Sequence, residues 1–147
     1  MFSKEEAQKI KREFWITFAQ EYPRKWLLYN TKIKDVAFKF HVDNKKASVS
    51  LDIEPKDEEH RKIYFEKIES LTSILIENYL QDALFEKNFH LENGKIISRI
   101  WVEIDNISIN NKSTWSAIFS FFADKMAAFE YFFYEYEDYI KDLERNI

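Results

Sequence analysis

The chain has 147 residues, the usual size of one domain, so the expectation is a single domain over 1–147 that folds without disulfide or structural metal. It contains no cysteine, which excludes thiolate nucleophiles and Cys-ligated zinc, and its 18% aromatic, 46% hydrophobic composition excludes disorder. Net charge is −4, split unevenly: residues 1–46 hold 11 Lys/Arg against 6 Asp/Glu, while residues 63–147 hold 8 against 15. That balance gives no footprint for duplex DNA, and its asymmetry is of the kind that steers two copies together.

The first predicted element is a helix over Lys4–Tyr22. Ser3 followed by Glu6 forms a capping box, Ile10, Phe14, Ile16, Phe18 and Tyr22 mark the apolar side, which Trp15 widens, and Pro23 ends the run. The charged N-terminal residues do not suit a signal peptide. The segment that follows, RKWLLYNTKIKD, reads equally as a packed turn or a lead-in to a strand.

Val36–Val42 and Ala47–Ile53 each alternate, with Val36, Phe38, Phe40 and Val42 on one face and Ala47, Val49, Leu51 and Ile53 matching them. With DNKK between them they predict a β-hairpin that has one core face and one wet face. Asp57 caps a predicted second helix over Glu58–Gln81, with a seam of Tyr64, Ile68, Leu71, Leu75 and Tyr79. Asn93-Gly94 predicts a second hairpin, with strands over Leu84–Leu91 and Lys95–Ile104, and uses the one glycine where positive φ is needed.

Thr114–Arg145 carries the strongest pattern. Trp115, Phe119, Phe122, Met126, Phe129, Phe133, Tyr136, Ile140 and Leu143 recur at alternating steps of four and three, one seam of an α-helix. Asp124, Lys125 and Glu130 make this stretch too polar for a membrane span. At 1.5 Å per residue it is about 48 Å long, against a domain diameter of roughly 38 Å. An overhang rich in aromatics needs a cover, so Phe129, Tyr131, Phe132, Tyr134, Tyr136 and Tyr139 form a candidate interface with a second copy. The plainer reading is a helix wholly buried across its own sheet.

No glycine-rich phosphate loop and no G-x-S-x-G elbow is possible with one glycine, and His41, His60 and His90 have no metal-ligand spacing. The candidate surface site is Lys39, His41, Asp52 and Glu54 on the wet face of the first hairpin, with Arg99 and Trp101 from the second. Glu54-Pro55-Lys56, with Asp35 or Asp43 upstream, matches the letters of a metal-nuclease pattern in which carboxylates hold a divalent ion, although proline interrupts the strand. Arg99 beside Trp101 also suits stacking of nucleobases. Charges alternating on a solvated sheet are the plainer reading of both.

The stretches WLLYNTKIKDVAFKF, LENGKIISRIWVEI and STWSAIFSFFADKMAAFEYFF resemble the bacterial domain of unknown function 4268 family from about Phe14 to Ile140. The marks are Trp115 opening the last helix and the N-G-K hairpin before S-R-I. The resemblance implies an association with nuclease-like regions in some larger bacterial proteins, and implies no catalytic residue.

The expectation is therefore an α+β fold in the order helix–hairpin–helix–hairpin–helix, with an antiparallel sheet packed mainly on one face by three helices and a long C-terminal helix. The leading function is a non-enzymatic interaction or assembly domain, homodimeric through the C-terminal aromatic helix, without cofactor or metal, cytoplasmic and not membrane-bound. A protein partner is a further possibility. The alternative is a nucleic-acid-related protein, a divergent metal-dependent nuclease or its accessory. An open, concave polar sheet face with clustered carboxylates favours the alternative; a flat or covered face favours the interaction domain.

Overall fold

The computed structural model describes residues 3–145, with side chains described through residue 142. Leu143, the last seam position expected from sequence, lies outside the described side chains. The fold is α+β: α1 (Lys4–Glu21), β1 (Val36–Val42), β2 (Lys46–Ile53), α2 (Glu58–Glu69), α3 (Thr72–Asn78), β3 (Leu84–His90), β4 (Ile96–Asp105) and α4 (Trp115–Arg145). The four strands are antiparallel in the order β1-β2-β4-β3, so the two hairpins join through β2 and β4.

Local chemistry sets most boundaries. The Ser3 hydroxyl accepts from the Glu6 amide at 3.1 Å and opens α1. Gly94, at φ 88°, donates to Leu91 O while Leu91 N–H donates to Lys95 O, the pattern of a hairpin loop with glycine in the left-handed position. The expected single helix over Glu58–Gln81 is two helices. Ser70 and Thr72 hydroxyls bond back to the Lys67 and Glu69 carbonyls and compete with the helical ladder, which lets Leu71 turn into the core.

The helices cover one face of the sheet. Phe14 and Phe18 of α1 meet Phe119 and Phe122 of α4 with ring centroids 5.0–6.2 Å apart. Phe122 also lies 4.8 Å from Phe40 of β1, and Phe129 and Phe133 reach Phe38 at 5.5 and 5.7 Å. Buried seam residues continue to Ile140, which is fully enclosed. The expectation that the second half of α4 overhangs its own domain is thus corrected: α2 and α3 lie beside it. Phe132 meets Tyr79 at 5.6 Å, and Tyr139 shares a 2.8 Å hydrogen bond with Ser70.

Residues 22–35 form a turn-rich loop rather than a strand. Buried Glu130 of α4 accepts from the Arg24 guanidinium and, at 2.7 Å, from the Leu27 amide. The Leu28 carbonyl takes the Phe38 amide, and the buried Thr31 hydroxyl donates to Val36 O, so the loop lies along the outer edge of β1. At the other edge, β3 is irregular between Glu86 and Phe89, and buried Arg61 of α2 donates there to Lys87 O, Asn88 Oδ1 and, on β4, Ser98 Oγ.

Placement in the core predicts that Phe132→Ala lowers the unfolding free energy by about 3–5 kcal/mol, as for a truncated core phenylalanine. Tyr131→Ala, one position away but 69% exposed, stays within about 0.5 kcal/mol. Urea unfolding of both variants checks the pair.

Candidate functional site

Strand register brings the sequence-predicted surface residues onto one face. Ala37, Asp52, Arg99 and Glu86 form one cross-strand row, Lys39, Ser50, Trp101 and Leu84 the next, and His41, Ser48 and Glu103 a third. The helices pack on the opposite face, so this one stays open. Its side chains line a concave groove of about 550 Å³.

The face is less wet than its alternation predicts. Asp52 is 1% exposed and Ser50 is 5% exposed, although no helix covers them. Long cationic side chains cover Asp52 instead. Arg99 binds it with both arms, at 2.8 and 2.9 Å, and Lys39 stands 3.5 Å away. Lys39 also bonds Glu54 at 2.8 Å, and Lys95 approaches the other Glu54 oxygen at 3.5 Å. A buried carboxylate is tolerable only with such partners, and the planar guanidinium fork fits both oxygens at once.

Burial works against the Lys39 charge, but the Glu54 hydrogen bond and the Asp52 and Glu54 charges outweigh it and hold the ammonium above its ordinary pKa. At the far end, burial opposes the Asp43 charge. Amides of Lys46 and Lys45, together with His41, outweigh that and lower its pKa.

The aromatics lie beside this network. The Arg99 guanidinium sits over the Phe89 ring at 4.4 Å, and Phe89 meets Trp101 edge-on at 5.3 Å. The Trp101 indole donates to Glu103 at 2.6 Å, which leaves the half-buried ring facing the groove. Lys39, Asp52, Glu54, Arg99 and Trp101 therefore belong to one constellation. His41 stands apart, 59% exposed and 3.3 Å from Asp43.

Phe89 and Lys95 were missed by sequence reasoning. The irregularity after Glu86 brings Phe89 opposite Ile97, and nothing in the alternation announces that shift. The nuclease letters do not assemble as a unit: Lys56 lies beyond the strand end and is exposed, while Asp35 gives its backbone carbonyl to the Glu54 amide. Among the described residues, no group of three or more His, Asp and Glu is placed to hold a metal ion.

The predicted interface residues divide. Phe129 and Phe132 are 0% and 1% exposed, inside the chain's own core, and Tyr136 is half-buried against Phe132. Tyr139 is held by Ser70, and Lys67 lies over its ring at 3.9 Å. Tyr131 and Tyr134 face outward, 69% and 56% exposed.

A family model, Domain of unknown function (DUF4268), matches residues 10–137. The chain belongs to this family. No curated protein and no solved structure matches it. The matched span of this DUF4268 chain includes the whole open face and both hairpins, and it ends within α4. Among the described residues, no helix is long and apolar enough to cross a membrane.

Arg99→Met leaves Asp52 buried with Lys39 alone, and should cost about 3 kcal/mol of stability. Adding Asp52→Leu should recover most of that loss, since the uncompensated charge goes with it; chemical denaturation of the double-mutant cycle reads this. A second outcome concerns pH. Because the folded-state pKa of Lys39 is raised, its contribution is complete below the ordinary 10.5 and fades as pH rises through the raised value. The stability difference between wild type and Lys39→Met should therefore shrink on the alkaline limb.

Proposed function

We propose that this DUF4268 chain is a non-enzymatic interaction domain that assembles with a second copy of itself along the exposed side of α4. The observation that supports this is the pairing of Tyr131 and Tyr134, both exposed, with half-buried Ala127 and Ala128 one turn earlier. Antiparallel packing of two α4 helices about a twofold axis near Tyr131 sets large residues of one copy over small residues of the other. Asp124 and Asp138 then lie near each other across the axis, so added salt should strengthen the association. A bacterial, cytoplasmic setting is part of this reading, supported by the family resemblance and by a sequence without cysteine.

The alternative, a nucleic-acid-related role, draws its support from the open groove and from Trp101 beside Arg99. Charge weighs against it. The groove is lined by Asp43, Asp52, Glu92 and Glu103 against Lys39, Lys46 and Arg99, whereas a polyanion is bound by unmatched cations. A nuclease form further requires Asp52 and Glu54 to exchange Arg99, Lys39 and Lys95 for a metal ion.

Sedimentation equilibrium decides the leading reading. Wild type should form a dimer, and Tyr131→Arg with Tyr134→Arg should raise the dissociation constant at least about tenfold without changing the unfolding midpoint. A wild-type chain that stays monomeric at its highest soluble concentration overturns the proposal. For the alternative, single-stranded oligonucleotide binding at low salt that is lost in Arg99→Ala would count in its favour. Absence of any binding would remove it.

A further inference from the structure

The floor of the sheet groove holds a hydroxyl that the fold itself does not use. Ser50 is 5% exposed and stands between Lys39 and Trp101 in its cross-strand row, where it lines the groove of about 550 Å³. Among the described residues, no group hydrogen-bonds its Oγ, and that atom is not sealed inside the protein, so it opens toward the groove. A hydroxyl largely withdrawn from solvent without a partner is unusual in a folded chain, and a polar group of a ligand would supply what it lacks.

Beside Ser50, on the neighbouring strand, Trp101 forms a wall whose position is fixed twice. Its indole N–H donates to Glu103 at 2.6 Å, and Phe89 meets it edge-on at 5.3 Å and 76°. An edge-on contact takes up at most one of the two indole faces. Among the described residues no ring lies parallel to Trp101 and no cation lies over it, whereas Phe89 is covered by the Arg99 guanidinium at 4.4 Å. Ser50 and Trp101 are direct cross-strand neighbours, so the unpartnered hydroxyl lies at the foot of the aromatic wall.

Charge argues against an ionic ligand. Arg99 grips Asp52, Lys39 bonds Glu54, Lys46 stands 3.8 Å from Glu103, and Asp43 accepts from the Lys45 and Lys46 amides at 2.8 Å. Of the lining carboxylates, only Glu92, exposed on the loop of the second hairpin, has no such partner among the described residues. These pairs cancel charge without exhausting hydrogen-bonding capacity. Arg99 engages Asp52 through Nε and Nη2, which leaves its Nη1 without a partner among the described residues. A neutral ligand whose groups both donate and accept can join this network without breaking a pair. An anion or a cation has to compete with a partner already in place.

An apolar ring face bordered by hydroxyls is the shape of a pyranose. Its axial C–H groups are drawn to the negative face of an indole, while equatorial hydroxyls project sideways to donors and acceptors around it. An axial hydroxyl would hold the ring off the indole, and a β linkage keeps successive rings in one flat ribbon that an open groove admits. We propose that the groove is a binding site for a neutral, β-linked saccharide of all-equatorial, glucose type, with one pyranose face on Trp101 and the hydroxyl rim at Ser50 and Arg99. Its volume is in the range of small-molecule sites. The site lies on the sheet face away from the helices, so it does not depend on association through α4.

The four tryptophans give the test its own controls. Trp101 lies in this groove, Trp15 and Trp26 lie beside α1 and β1, and Trp115 is buried at the start of α4. Titration of the 15N-labelled full chain with cellobiose should shift the Trp101 indole signal in a saturable way and leave the other three in place. The dissociation constant should be about 1 mM, the level of a single small-ligand site without ionic contacts. Ser50→Ala removes a hydroxyl that no protein group needs. It should leave the unfolding midpoint in place and weaken cellobiose about fivefold or more, as for one lost hydrogen bond. Trp101→Ala should abolish the response of the Ser48 and Ser50 backbone amides. The proposal is overturned if cellobiose fails to saturate the Trp101 signal, if Ser50→Ala binds as wild type does, or if adenosine monophosphate or glucosamine binds more tightly than cellobiose. A preference for adenosine monophosphate would mark the groove as a nucleotide site instead.

Discussion

Everything in this fold depends on one line of aromatic contact, the face that α4 lays against the sheet. Phe122, Phe129 and Phe133 reach β1, while Phe119 and Trp115 close on Phe14 of α1. Each such side chain removes a large apolar area from water, and mutual ring contacts add a directional component. A four-stranded sheet with one exposed face has only one side on which to build a core, so a single helix long enough to cross it does most of that work. The same helix supplies Glu130, a buried carboxylate that anchors the loop after α1. Packing and loop geometry are thereby coupled through one element.

The two faces of the sheet solve burial differently. On the helical side, apolar rings exclude water. On the other, Asp52 is withdrawn from solvent by Arg99 and Lys39, whose own charges it neutralises. Net stabilisation from such pairing is modest, because desolvation offsets much of the attraction. What it contributes is order: the guanidinium is fixed over Phe89, and Phe89 in turn positions Trp101. The groove is consequently a preorganised surface whose charges are nearly balanced. That is why its openness alone does not make it a site for a polyanion.

Strands and caps were legible because their signals are short-range. Alternation at period two located β1, β2 and β4, Ser3 and Asp57 announced helix starts, and Gly94 announced a turn. The candidate residues Lys39, Asp52, Glu54, Arg99 and Trp101 were legible for the same reason, since period two assigns faces. The burial of Asp52 was not, because it comes from Arg99, 47 positions away. The break at Ser70 was hidden because serine and threonine hydroxyls act only through local geometry. The aromatic surplus of α4 was visible, yet its destination depended on where α3 docks. Leu28 carried no signal at all: nothing in its side chain prepares it for positive φ.

The margins of the sheet carry a last consequence. Along β1, the Leu28 carbonyl and the Thr31 hydroxyl occupy backbone groups that another strand would use. Along β3, by contrast, Arg61 and the Ser98 hydroxyl of β4 both bond Lys87 O, so the irregular stretch is closed against its own neighbouring strand. An edge engaged in the way of β1 is a poorer template for stray β-rich segments. For a chain that is 18% aromatic, this is a safeguard against fibrous aggregation at β1, and it comes from the polar contacts of one loop rather than from the core.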